Sequence, residues 1–270
     1  MTSTRQLFQI FHVDAFTDKP FAGNPAAVCL LTEDRSAQWM QSVAAEMNLS
    51  ETAFVRELEE GYELRWFTPT VEVDLCGHAT LASAHILWSE GFLHHEKPIR
   101  FHTRSGVLTC NREGETIQLN FPATPPIEAI PPAGLLDAFR IRPSFVGRSV
   151  YDFLLVVESE NIRELEPNLH ALRTITGIRG VIVSGLCSDP RFDFVSRFFA
   201  PAAGVDEDPV TGSAHCCLGP YWSARLGKRT MTAYQASKRG GVLQVTVEGD
   251  RVILGGSAVT ISKGELFQSS

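Results

Sequence analysis

The chain has 270 residues, 44% apolar and 20% charged, with a formal net charge of −7 and a pI near 5.6. This is the profile of an ordinary soluble globular protein with room for one large or two medium cores. The acidic balance argues against nucleic acid or an anionic membrane as partner, and no run approaches the ~18 consecutive apolar residues of a membrane span.

The N-terminal stretch MTSTRQLFQIFHVDAF lacks the apolar core and small-residue cleavage site of a signal peptide. Six cysteines (Cys29, Cys76, Cys110, Cys187, Cys216, Cys217) are too sparse for a disulfide scaffold. Together these features point to reduced thiols and a cytoplasmic location.

In chain order, Phe8–Val13 reads as a strand, followed by a turn-rich loop from Asp14 to Asn24 and a second apolar strand over Pro25–Leu31. Ser36 is a candidate N-cap for a helix to Met47, which Asn48 ends. Glu51–Val55 and the alternating Tyr62–Phe67 return as strands. Ala79–Ser89 is apolar all round, so it should be a helix buried on all sides, running through a curved sheet or barrel. Ile99–Asn111 and Thr116–Phe121 supply further strands, and the proline-rich 122–132 reads as a linker. Beyond it come a short helix at Leu135–Phe139, a strand at Val150–Val157 and a helix within 161–173. Gly180–Cys187 and Phe192–Phe199 read as strands, and Ser213–Leu226 as a second small-residue helix. Gly241–Val247 and Arg251–Leu254 form a hairpin, and Ala258–Lys263 is a last strand that could cross back to the first half.

The two halves repeat one another. Residues 65–82 read RWFTPTVEVDLCGHATLA and residues 197–214 read RFFAPAAGVDEDPVTGSA. Arg65, Phe67, Pro69, Val73 and Asp74 align without a gap on Arg197, Phe199, Pro201, Val205 and Asp206. A further shift of three residues aligns Gly77 and Ala79 with Gly212 and Ala214. Each copy runs from a strand through a proline turn to a helix start, where unpaired backbone N–H groups can hold an anion. A duplicated fold with domains 1–121 and 133–270, facing each other across a cleft, is the simplest expectation.

Four segments then resemble the PhzF family, the phenazine-biosynthesis-like branch of the diaminopimelate epimerase superfamily: VDAFTDKPFAGNPAAVCLL (13–31), LSETAFV (49–55), RWFTPTVEVDLCGHATLASA (65–84) and GVDEDPVTGSAH (204–215). The resemblance implies an α+β fold of two pseudo-symmetric domains, each a curved sheet or barrel wrapped around a central helix. It also implies an active site between the domains and isomerase chemistry without metal or organic cofactor, commonly in a homodimer.

On the family pattern, Glu51 of SETAF is the general acid/base, and His78 and Asp208 are supporting catalytic residues. A carboxylate at Glu51, half-buried at a strand start, would have its pKa raised by desolvation into the range for proton transfer. Without the resemblance, a capping or salt-bridging role would be the simpler account. His78 sits at a helix N-terminus, which disfavours imidazolium and suggests a neutral, hydrogen-bonding ring. Gly77 and Gly212 allow close backbone approach, and the amides there and at Ser213 suit a substrate carboxylate. Asn24, with Gly23, is a candidate for the rim.

Cys76 offers another reading. Racemases of the same superfamily use two thiols, one from each half, but no cysteine stands near Asp208–Thr211 to pair with Cys76. No cluster has metal spacing, because Cys76-Gly-His78 lacks further ligands in sequence. The expected activity is therefore movement of a proton within a small carboxylated metabolite, by a cofactor-free enzyme with no nucleic-acid or membrane partner. A catalytically idle small-molecule-binding or interaction protein on the same scaffold is the alternative, against which Glu51, His78 and Asp208 count.

Overall fold

The computed structural model describes residues 7–150, 152–158 and 160–267. The chain begins with β1 (Leu7–Ala15) and β2 (Asn24–Leu31), then α1 (Ala37–Met47), β3 (Glu51–Glu57), β4 (Tyr62–Phe67) and the short β5 (Glu72–Val73). Next come α2 (Gly77–Ser89), β6 (Ile99–Thr103), β7 (Gly106–Glu113), β8 (Thr116–Pro122) and β9 (Ile127–Glu128). They are followed by α3 (Leu135–Phe139), β10 (Phe145–Arg148), β11 (Asp152–Val156), α4 (Leu169–Thr174), β12 (Gly180–Leu186) and β13 (Phe194–Phe199). The chain closes with α5 (Gly212–Leu226), β14 (Thr230–Gln235), β15 (Gly241–Glu248), β16 (Arg251–Gly256) and β17 (Ala258–Phe267).

Two compact units divide these elements: residues 1–120 with 255–270, and residues 121–254. This division has the crossing back of the last strand that the sequence allowed, and it differs from the expected halves at the proline-rich segment. The last strand, β17, pairs antiparallel with β1 along its whole length, so 255–270 belongs to the first unit. The proline-rich 122–132 is part of the second unit, where Ile127 and Glu128 pair with Arg148 and Gly147.

The pairing pattern is the same in both units. In the first, β1–β2 is antiparallel, β2–β3 parallel, β3–β4 antiparallel, β4–β6 parallel and β6–β7 antiparallel. In the second, β10–β11, β11–β12, β12–β13, β13–β14 and β14–β15 follow the same alternation. Parallel neighbours need a crossover, and the crossovers match too. α1 and α4 span the first parallel pair of each unit, and α2 and α5 the second. The short β5 that pairs Val73 with Trp66 has its counterpart in an isolated bridge between Ala200 and Val205.

The repeated arginines are built alike. Arg65 donates from Nε and Nη2 to the two carboxylate oxygens of Glu72, at 2.8 and 2.9 Å. Arg197 does the same to Glu207, at 2.6 and 2.9 Å. Each guanidinium also lies over the ring two residues on, Phe67 or Phe199.

α2 is buried from His78 to Ala84 and again from Ile86 to Trp88, packed on β1, β2, β3 and β17. Side chains as small as Ala79, Ala82 and Ala84 let the surrounding strands approach it closely. His85 ties the helix to β17 through Thr260 Oγ1, 2.9 Å from its Nε2. α5 plays the same part against β14 and β15. α1 starts as its sequence suggests, with Ser36 Oγ accepting the Trp39 N–H, and it covers Phe8, Phe54 and Phe67. The expected strand at 150–157 includes Tyr151, which lies outside the described residues. All six cysteines are unpaired, and no helix among the described residues is long and apolar enough to cross a membrane.

Candidate active site

Three segments of the first unit bring polar side chains together. β2 and β3 are parallel with Ala26 opposite Glu51, so Asn24 and Glu51 start neighbouring strands at one end. Gly23 makes this possible on the β2 side. At its φ of +65° a Cβ would lie 2.1 Å from the Ala15 carbonyl oxygen, so only glycine lets the chain turn there. On the β3 side, Asn48 leaves α1 in the left-handed region with φ 50°, and Glu51 follows after two residues. The N-terminus of α2 supplies Cys76 as N-cap, then Gly77 and His78.

His78 is the centre of the cluster. Its Nε2 lies 3.1 Å from Glu51 Oε2, close enough for an ion pair, yet it is buried and lacks the alignment of a hydrogen bond. Its Nδ1 is 3.2 Å from Asn24 Nδ2 and 3.5 Å from Cys76 Sγ. An amide nitrogen only donates, and Nδ1 accepts only in a neutral ring, so beside Asn24 Nδ2 a neutral His78 carries its proton on Nε2, facing the carboxylate. His78 is buried, whereas the Glu51 side chain keeps 19% of its surface exposed. A carboxylate that solvent or a small molecule can reach is thus held by a ring that neither can.

Burial disfavours an imidazolium at His78, but the adjoining Cys76 and Glu51 outweigh it, and the ring's pKa lies well above the ordinary histidine value. Cys76 is itself pushed up, first by burial and then by Glu51. This direction is opposite to the one the helix N-terminus suggests. The helix N-terminus does disfavour charge there, but a carboxylate at 3.1 Å is a nearer and larger influence.

Asn24 departs from its expected place at the rim. It is wholly buried, and its amide orients His78. The expectation of no metal-ligand cluster is also corrected: Glu51, Cys76 and His78 offer ligand atoms that all lie within 4.8 Å of one another. Glu51 is 25 residues before Cys76 in the chain, so linear spacing hides the set.

The remaining predicted residues lie in the second unit, at a hydrogen-bonded start to α5. Asp208 Oδ2 accepts from Thr211 Oγ1 at 2.6 Å. Gln235, wholly buried on β14, accepts the Thr211 N–H at 2.8 Å and donates to the Asp208 carbonyl at 2.7 Å. Ser213 Oγ accepts from Arg179, which also forms a two-point ion pair with the buried Asp152. Gly212 and Ser213 open the helix, where the first N–H groups have no partner within it. Gln235 and Arg179 went unmarked in the sequence, although a buried glutamine in an alternating strand has to find partners and so is a legible signal.

The family profile of the phenazine biosynthesis-like proteins matches residues 13–264. The chain belongs to that family. A PhzF family protein of Enterococcus faecalis has a solved structure that superposes with TM-score 0.93 at 39% identity, over 97% of this chain and all of that one. An uncharacterized isomerase of Halalkalibacterium halodurans is 54% identical over 96% of this chain and 98% of its own length. Another uncharacterized isomerase, from Pseudomonas aeruginosa, is 49% identical over 95% and 98%. This PhzF-like chain thus stands among the isomerases. A probable proline racemase of Agrobacterium radiobacter shares the fold, with TM-score 0.64 at 12% identity over 96% of this chain and 92% of its own. The α+β epimerase-like architecture that the family resemblance implied is therefore the one this PhzF-like protein has.

Proposed function

We propose that this PhzF-like protein is a cofactor-independent isomerase that moves a proton within a small carboxylated metabolite, with Glu51 as the acid/base. The observation that carries the reading is the Glu51–His78 contact: a partly exposed carboxylate held 3.1 Å from a buried ring nitrogen at the start of a helix. Glu51 removes a proton from one carbon, electron density shifts along the substrate, and the same carboxyl group returns the proton at another carbon. His78 holds the carboxylate in place and shares its charge. The Gly77 and His78 amides, at the positive end of α2, suit the substrate carboxylate or the negative charge that develops during transfer. No electrons or atoms are gained or lost, so the chemistry calls for no redox group.

For Asp208, Gly212 and Ser213, the family resemblance supports a share in holding the substrate. It also supports action as a homodimer, while the sparse, unpaired cysteines support a cytoplasmic location; sedimentation and fractionation would test these. A metabolite screen followed by Glu51→Gln tests the central claim. The amide keeps the shape of the side chain but removes the base, so turnover should fall by ~10² or more while ligand affinity survives. Full activity in Glu51→Gln would end the proposal.

One observation favours a second reading, in which a thiol does the work: Cys76 Sγ is 3.5 Å from His78 Nδ1. Against it, the thiol is pushed toward its protonated form, and Cys216 and Cys217 are buried with pKa values near 12. Cys76→Ser separates the two, since only the thiol reading expects turnover to be abolished by it.

A further inference from the structure

The Glu51–Cys76–His78 cluster holds one of each common donor type for a borderline-soft cation: carboxylate, thiol and imidazole. Two elements far apart in sequence supply it, β3 and the start of α2. Such a set suits zinc and its neighbours in the first transition row, and suits magnesium or calcium poorly because those ions take oxygen. Zinc's bond lengths to nitrogen, oxygen and sulfur place tetrahedral donors about 3.3–3.7 Å apart. The present donors, all within 4.8 Å of one another, need to close by up to about 1.5 Å, with the Cys76 side chain or the ring turning so that thiol and carboxylate meet one ring nitrogen. His78 Nε2 is buried and has no aligned hydrogen-bond partner, so an ion there would satisfy an atom the protein leaves unsatisfied.

We propose that Glu51, Cys76 and His78 form a three-donor site for a zinc-class divalent cation, and that its occupancy takes the Glu51 carboxylate out of use as a base. The binding claim stands by itself; the inhibitory consequence rests on the isomerase reading above. Coordination through His78 Nε2 needs that nitrogen without its proton and leaves the one ring proton on Nδ1. Asn24 then turns its amide to present oxygen instead of nitrogen, which makes it the outer-shell partner that orients the ligand. Cys76 loses its proton to solvent as the metal–sulfur bond forms. Three protein ligands leave a fourth position open to water or to a substrate carboxylate. In this protein the metal is an off-switch: catalysis proceeds on the empty site.

Cobalt(II) is the direct probe, because a bound thiolate gives a sulfur-to-cobalt charge-transfer band whatever the substrate is. Titration of the purified protein should give such a band, saturating at one ion per chain and displaced by zinc. Cys76→Ser should lose the band and weaken zinc affinity, measured by calorimetry, by more than the ~10–100-fold that loss of an outer-shell partner costs. Glu51→Gln should keep the band with weaker affinity. Cys187→Ser, at the one thiol that is not buried, should leave both unchanged. A band that survives Cys76→Ser, or no saturable band in the native protein, would overturn the site. The two proposals fail separately: a Glu51→Gln variant that loses turnover without any cobalt band in the native protein keeps the isomerase and removes the metal site. A native band with full turnover in Glu51→Gln does the reverse. Where turnover can be measured, zinc should lower it and a chelator should restore it.

Discussion

Each repeat unit carries a buried histidine in the first turns of its second crossover helix, and the two behave oppositely. His78 faces a carboxylate and a thiol, and its pKa is driven well up. His215 is wholly buried, with the Ser196 hydroxyl 3.5 Å from its Nε2 and no ionisable partner among the causes of its shift. Burial pushes it down to about 4, with only the Thr211 carbonyl pulling the other way. Its Nδ1 is 2.8 Å from that carbonyl, and its ring stacks against Phe194. The backbone frame, strand order and arginine–glutamate pairs are duplicated, but the charge is not. Duplication therefore copies a scaffold, and chemistry resides where one copy places a second ionisable group within reach of the first.

The largest effect that would break this comparison concerns the matched arginines. Arg197 is nearly buried, and besides Glu207 its Nη1 donates to the carbonyls of Ile162, Arg163 and Leu165. Arg197→Ala should cost about 3–5 kcal/mol in denaturant unfolding, because it leaves a carboxylate and several carbonyls without their partner. Arg65→Ala should cost less, about 1.5–3 kcal/mol, since Arg104 also reaches Glu72, at 3.1 Å. Equal losses would mean that the two pairs carry the same weight despite their different surroundings.

The histidines come next. His215 has a folded pKa of about 4 against the ordinary histidine value of 6.5, so the unfolded chain binds the proton more readily. Its contribution is full above pH 6.5 and is lost as pH falls toward 4, by about 3 kcal/mol at 1.36 kcal/mol per unit. His78 has the opposite sign: its folded pKa is raised, so its contribution is present below the unfolded value and is lost as pH rises through the folded one. His215→Asn should therefore flatten the acid side of the stability–pH curve, and His78→Asn the alkaline side. An unchanged acid slope in His215→Asn would refute the neutral buried ring.

The smallest effects lie at the helix caps, one in each unit. Ser36 caps α1 by accepting the Trp39 N–H, and Asn168 caps α4 by accepting that of Ala171. Ser36→Ala and Asn168→Ala should each cost about 1 kcal/mol. A clear difference between them would show that one helix is held by packing rather than by its cap.

What could be read in the chain beforehand followed from local rules. Ser36, Asn48 and the apolar run of α2 announce their elements because capping, left-handed asparagine and all-round burial are properties of a few consecutive residues. β14 escaped notice: its buried positions are Met231, Ala233 and Gln235, and the glutamine interrupts the apolar alternation. The segment at 122–132 looked like a linker because proline is poor in strands, but the pairing at Ile127 and Glu128 needs only two residues. At the site, Glu51 and His78 are 27 positions apart in sequence. No periodicity relates them; only the parallel β2–β3 register and the packing of α2 bring them together. The family resemblance supplied what spacing could not, and it left Asn24 behind His78 to be found in the fold.

The return of residues 255–270 to the first unit has a consequence for synthesis. When the ribosome has released the first 120 residues, β1 still lacks its partner β17, and His85 lacks Thr260. The second unit, by contrast, is one unbroken stretch from 121 to 254, complete before β17 is made. Domains generally fold as units in order of emergence. Here the unit whose residues come first is finished last, so the helix end that carries Cys76 and His78 lies in the part of the molecule that waits for the C-terminus.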